Sequence, residues 1–353
     1  MTDGNGTIRN GVAGASDTAA EATAAAGGTT AHAPRRGHTR RRVLLWAAGS
    51  LASAGALGVS AVFLTDRLRR FARNAERHIG DHRIHLPGPV PRMVIARGTQ
   101  PAANVRAAVE RLGGMAALVT PADVVLIKPS LGWERTPEQA ANTQPEVIAE
   151  VVRMCRTAGA RHVIVCDCPV ARSRRALEIS GILAAAQAAG ADVIVPEESR
   201  YVTVRISERL GTWDVLEPFV IATKIINVPT AKHHDLTGVS CGLKNWFGIT
   251  AKNRIMLHAD VQRSIAELAA LMRPTLTIVD ASRVLMENGP AGGSTSDVKP
   301  MRTVAAGFDP VALDAWACTL LGKPFPGNIA IAESMGLGRA DFASLAPVEL
   351  TTS

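Results

Sequence analysis

Residues 124–168, VVLIKPSLGWERTPEQAANTQPEVIAEVVRMCRTAGARHVIVCDC, carry the pattern on which the fold turns. Val124 to Ile127 is a short, wholly apolar run, as expected of a strand buried on both faces of a parallel sheet. It ends at Lys128-Pro129-Ser130. A helix is expected from about Pro145 to Ala158, with Pro145 in the first turn, where its missing N–H leaves no bond unmade, and Gly159 as the stop. His162 to Cys166 is the next buried run, closed by Asp167-Cys168-Pro169. Outward from this unit the rhythm repeats. Met93 to Ala96 reads as a strand and Ala102 to Leu118 as a helix; Arg174 to Ala189 is a helix closing on Gly190, and Val193 to Val195 a strand. Farther on, Tyr201 to Ile206 alternates like a half-exposed strand, Ile225 to Val228, Leu276 to Val279 and Thr303 to Ala306 read as strands, and Val261 to Met272 as an amphipathic helix. The alternation predicts an α/β fold, a doubly wound, mostly parallel sheet with helices on both faces. In such sheets a ligand sits outside the carboxyl ends of the strands. Lys128, Asp167, Cys168 and Asn227 all fall at such ends.

The 353-residue chain is 47% hydrophobic, enough for one principal domain. Its formal charge of +8 is unevenly spread: residues 1–90 hold twelve Arg against six Asp or Glu, so they supply +6 of it. The body is nearly neutral and carries no charged face for nucleic acid. An aromatic content of 4% also lacks the stacking residues of a single-strand platform. Residues 1–42 read as a disordered basic leader, because a Gly-, Ala- and Thr-rich composition cannot offset the entropy of ordering. Within it, Thr39-Arg40-Arg41-Arg42-Val43-Leu44-Leu45 resembles a twin-arginine export signal. The uncharged run 43–64 matches the ~20 residues that span a bilayer as a helix. It is expected to be a signal or transmembrane anchor helix; Val59-Ser60-Ala61 offers a cleavage site as the alternative. The expected partners are therefore the export machinery and a membrane, and the expected location is extracytoplasmic. Residues 65–91, with Pro87, Pro89 and Pro91, read as a linker in which His78, His82 and His85 are solvated. Residues 92–345 form the α/β domain and 346–353 a tail.

A second stretch concentrates chemistry: residues 224–254, KIINVPTAKHHDLTGVSCGLKNWFGITAKNR. A strand ends at Asn227-Val228-Pro229, and Lys232, His233, His234, Asp235, Cys241, Lys244 and Asn245 follow within a Gly-rich passage. This is the expected site, with Lys232, His233, Lys244 and Asn245 at its centre. Cys155, Cys166, Cys168, Cys241 and Cys318 form no Cys-x-x-Cys, and the spacing that holds an iron–sulfur cluster is absent.

Four patches together are similar to the domain-of-unknown-function 362 family. They are Asn227-Val228-Pro229 with Lys232 and His233; Gly242-Leu243-Lys244-Asn245 before Gly248; Glu287-Asn288-Gly289-Pro290 with Gly292; and Phe308-Asp309-Pro310-Val311-Ala312 with Asp314. The resemblance runs from about Met93 to Leu337. It implies the location of a site but no reaction. Some members of the family carry a ferredoxin-type module, whose cysteines this sequence lacks.

Three readings of the chemistry follow. A small anionic molecule would suit Lys128, Lys232 and Lys244, since ammonium groups neutralise a carboxylate or phosphate and Gly-rich turns expose N–H groups to it. Asn227, Asp280, Glu287 and Asn288 would help to bind it, and His233 would serve as general acid or base. The second reading is a divalent metal or redox cofactor, with His233, His234 and Asp309 as candidate ligands. Against it, adjacent histidines share no helix face, and Asp309 before Pro310 has the form of a helix N-cap. The third is a non-catalytic periplasmic binding or assembly component. Of the two histidines, His233 is expected inside the site and His234 beside it.

Overall fold

The computed structural model describes residues 76–250 and 253–353. The expected leader, the twin-arginine-like motif and the 43–64 anchor lie outside the described residues. With strands numbered in chain order, the main sheet runs β13 (Val348–Thr351), β1 (Met93–Arg97), β12 (Thr303–Gly307), β10 (Leu276–Leu285), β7 (Lys224–Val228), β2 (Val124–Pro129), β3 (His162–Cys166), β4 (Asp192–Ile194). Pairing is parallel from β10 through β4 and again between β13 and β1, while β12 runs antiparallel to both its neighbours. The sheet is thus mostly parallel, as its apolar runs require.

Side chains of the central strands alternate between two cores. Val125, Ile127, Val163 and Val165 join one with the helices Pro101–Arg111 and Pro145–Thr157; Leu126, Ile164 and Cys166 face the other, with the helices Val261–Met272 and Pro310–Leu321. Helices therefore cover both faces. Glycines set where they stop. The helix expected over 102–118 breaks at Gly113 and Gly114, both at positive φ, and the one expected over 174–189 breaks at Gly181 with φ of 74°. Each of these backbones is one that only glycine adopts without strain.

Three segments depart from the sequence expectations. Tyr201–Ser207 (β5) is a strand, but its strand partner is Gly211–Leu216 (β6), in a hairpin separate from the main sheet. The linker, in its described part, packs on the domain: Arg77 bridges to Val204, the His82 N–H donates to Arg273 O, and Thr275 Oγ1 donates to His82 O at 2.8 Å. His82 is 4% exposed, because its backbone groups find partners on the domain. The expected tail instead supplies β13, which covers the outer edge of β1.

The site owes its position to the continuation of β7. Pro229, which has no N–H, interrupts the ladder, and the chain resumes as Thr230–His234 (β8), folded back on Gly238–Ser240 (β9). β10 keeps pace, since Asp280 pairs with Thr230 and Leu285 with Lys232 across an irregular stretch. A short antiparallel pair thereby stands beyond the carboxyl ends of β2, β3 and β7. A short strand, Val298–Lys299 (β11), flanks β10 on its far portion.

Candidate functional site

The floor of the site is a buried ion pair made by two strand ends. Lys128, at the end of β2, places Nζ 2.8 Å from Asp167 Oδ2, just past β3. Both side chains are almost wholly buried. Desolvation of two charges is repaid only where the remaining donors and acceptors are met, and here they are. The Lys128 ammonium also donates to Pro129 O and to Asn245 Oδ1 at 3.0 Å; the carboxylate accepts from Leu131 N at 2.8 Å and Cys168 N at 2.7 Å. Burial pushes the Lys128 amine below its usual range, and the Asp167 charge opposes that. Gly248 lies over the pair. A Cβ there would overlap Asp167 Oδ1 and crowd Lys128 Nζ, so the backbone approaches as closely as it does only because this residue is glycine.

From Asn245 a chain of hydrogen bonds crosses the floor. Its amide donates to Asn227 Oδ1 at 2.8 Å; Asn227 donates to Gly242 O at 3.0 Å; and Asp314 accepts from Gly242 N at 2.7 Å and Leu243 N at 3.1 Å. Each member is buried. The network fixes the 242–249 segment against β7 and the helix Pro310–Leu321.

Above the floor is a cavity of about 300 Å³ whose walls bring together Lys232, Lys244, Arg254, His234 and His258. Lys232 donates to the carbonyls of Ala141 and Pro290. Burial, then the neighbouring Lys244 ammonium, lowers its amine to about 7. Lys244 lies 3.7 Å above the Phe247 ring and is lowered to about 8, by burial first and Arg254 second. His234 is held neutral: burial and then Lys244 and Lys232 push it down to about 3. Arg254 donates to the carbonyls of Cys168 and Thr250. The His258 Nδ1–H donates to Arg254 O at 2.9 Å, and its ring meets the Phe247 ring edge-on at 5.4 Å. Among the described residues the sole carboxylate in the lining is Asp167, already neutralised by Lys128. The cavity therefore carries an excess of positive charge in a poorly solvated space, where Coulomb attraction for an anion is stronger than in water.

Of the residues expected at the site, Lys128, Lys232, Lys244 and Asn245 line the cavity, and Asn227 lies beneath Asn245. The histidines change places. β8 is a strand, so Lys232 and His234 point into the cavity while His233 faces the opposite side and accepts from Gly289 N at Nδ1. The expectation of His233 inside and His234 beside the site treated the segment as a loop, in which the period-2 alternation was lost. Asp280 is a helix-supporting group, not a cavity group: its carboxylate accepts from Gln144 N at the start of the helix Pro145–Thr157 and from Ser282 N. Glu287 is exposed and pairs with Lys323, and Asn288 donates to Asp297 at 2.9 Å. Neither lines the cavity. Asp309 caps the helix Pro310–Leu321, accepting from Ala312 N at 2.9 Å and Arg339 N at 3.0 Å. His233 and His234 thus face opposite sides of β8 and Asp309 is engaged as a helix cap, and the described residues hold no group of three or more His, Cys, Asp or Glu arranged for a metal ion. Arg254, His258, Ser130 and Phe247 were missed as lining residues. Arg254 closes the polar stretch in the sequence, but nothing in that stretch shows the chain folding back over Cys168.

The model of the domain of unknown function DUF362 matches residues 125–319, more than half the chain, and the chain belongs to that family. It is 30% identical over 221 residues to the thylakoid-associated protein sll1697 of Synechocystis sp., covering 60% of this chain and 67% of that protein. Among solved structures, the lactate racemase apoprotein from Thermoanaerobacterium thermosaccharolyticum superposes with a TM-score of 0.43 and 13% identity, over 70% of this chain and 61% of that one.

Proposed function

We propose that this DUF362 protein is an enzyme acting on a small carboxylate or phosphate, which it holds in the cavity above the Lys128–Asp167 pair. The observation that carries the reading is the charge count of the lining: Lys232, Lys244 and Arg254 face a space whose one carboxylate among the described residues is already matched. Lys232 is tethered by two carbonyls and serves as a fixed anion anchor. Lys244, with its amine near 8, exchanges its proton at working pH and is the proton-transfer group. His234 is neutral, and its Nδ1 accepts from Leu236 N, so its Nε2–H is a donor toward the substrate. The same positive charge opposes a divalent cation as the occupant.

The test is calorimetric titration of inorganic phosphate and oxalate into the wild type and the Lys244→Gln and Arg254→Gln variants. Each lost charge-assisted contact is expected to weaken binding about tenfold or more with little change in thermal unfolding. Unchanged affinity in both variants would sink the reading, as would loss of binding that merely tracks loss of fold.

We further propose export through residues 39–45 and tethering through 43–64. The name of the cyanobacterial relative, a thylakoid-associated protein, supports the membrane side of this reading. An Arg40→Lys, Arg41→Lys double variant keeps the charge and is expected to leave the protein in the cytoplasmic fraction; normal export of that variant would refute the route.

A further inference from the structure

Single apolar side chains scattered over a surface need no explanation. Their placement here does. Of the seven large apolar side chains exposed among the described residues, Val170 at 65% lines the cavity, and Leu236 at 54%, Ile255 at 80% and Met256 at 62% each lie within two residues of a lining residue in the chain. Leu236 is held next to the cavity because its N–H donates to Nδ1 of the lining His234. Ile255 and Met256 occupy the 3₁₀ turn between two lining residues, Arg254 and His258, and the bond from His258 Nδ1 to Arg254 O closes that turn. Exposed apolar side chains thus border the segments that build the cationic chamber.

The chamber's size decides what these side chains face. At about 30 Å³ per water, its volume of about 300 Å³ holds a group of about ten heavy atoms. A phosphate or carboxylate head fits with the first few carbons of its chain, and the rest of a longer chain does not. That remainder must leave the chamber beside these four side chains. We propose that the substrate is an amphiphilic anion, a single-chain carboxylate or phosphate whose head is neutralised by Lys232, Lys244 and Arg254 and whose alkyl chain lies over Val170, Leu236, Ile255 and Met256. The inference rests on the anionic reading of the chamber and adds the chemistry of the remainder of the molecule. Charge complementarity fixes the head, and the exposed apolar side chains fix the tail. The tail also explains why the site tolerates so many exposed apolar atoms beside three cations: it covers them when the chamber is filled.

The experiment compares methyl phosphate with octyl phosphate on the full-length protein in nanodiscs, with empty nanodiscs as the reference for partitioning. Each methylene withdrawn from water is worth about fourfold in affinity, so burial of three or more gives octyl phosphate an advantage of about 50-fold. An Ile255→Ser, Met256→Ser double variant is expected to shrink that ratio to about fivefold, by the same methylene count. Ile221→Ser, an exposed apolar site far in the chain from any lining residue, keeps the ratio and controls for general surface effects. Equal affinity for the two phosphates, or a preference for octyl phosphate that the double variant leaves intact, overturns the inference. If neither phosphate binds, the anionic reading of the chamber fails as well, so the two failures are distinguishable.

Discussion

Lys232 and Lys244 set the conditions under which the chamber can hold a charge. Both amines lie far below the ordinary lysine value of 10.5, at about 7 and about 8, chiefly because they are buried. The sign for ligand binding follows directly: as pH rises through 7 and 8 the two ammonium groups lose their protons, and the pull on an anion falls. Sulfate, whose charge is constant in this range, is expected to bind about tenfold or more weakly at pH 9 than at pH 6.5 by isothermal titration. A flat profile would show that neither lysine faces the anion. For the unliganded protein the sign is reversed. A lysine whose folded pKa is depressed favours the fold fully above 10.5, and that contribution is lost as pH falls through 8 and 7. The empty chamber is thus a local cost to stability at neutral pH, which an anion removes.

At the level of elements, the strands and helices were legible where burial set the pattern. His162–Cys166 and Val261–Met272 have the bounds their apolar spacing predicts, and β2 and β7 end where Lys128 and Asn227 break the run. Illegible were the strands that carry no apolar run. β13 joins β1 across some 250 residues, and β8 and β9 are short and polar, so neither announces itself by hydrophobic period. The site followed the same division. The strand-end rule found Lys128 and Asp167, and residue chemistry found Lys232, Lys244 and Asn245. The facing of β8, which admits His234 and turns His233 away, needed the three-dimensional pairing. The 3₁₀ helix Lys244–Ile249 depends on its close approach to the ion pair, and that yields a prediction. Gly248→Ala must displace Asp167 or Lys128, at a cost of about 2–4 kcal/mol in urea unfolding. An unchanged midpoint would show that the backbone can move away without loss.

For the whole molecule, the described domain begins before the alternating pattern does. Residues 76–91 contribute the bridge at Arg77, the buried His82, and Ile84 and Leu86 packed against the core. A chain begun at Arg92 is expected to melt about 5–10 °C below one begun at residue 76, since a few kcal/mol translates to that shift at this size. Equal melting temperatures would return the segment to the status of a linker. The sheet order carries one more consequence, for the history of the chain during synthesis. β1 is the first strand of the sheet to be made, yet both its neighbours, β12 and β13, come from the last 51 residues. While it is being made, the nascent domain must wait with an open sheet flank until β12 and β13 have been made. Closure of the sheet is therefore a late event with a long exposed interval. A translocation system that accepts only finished domains would hold such a protein back until that flank had closed.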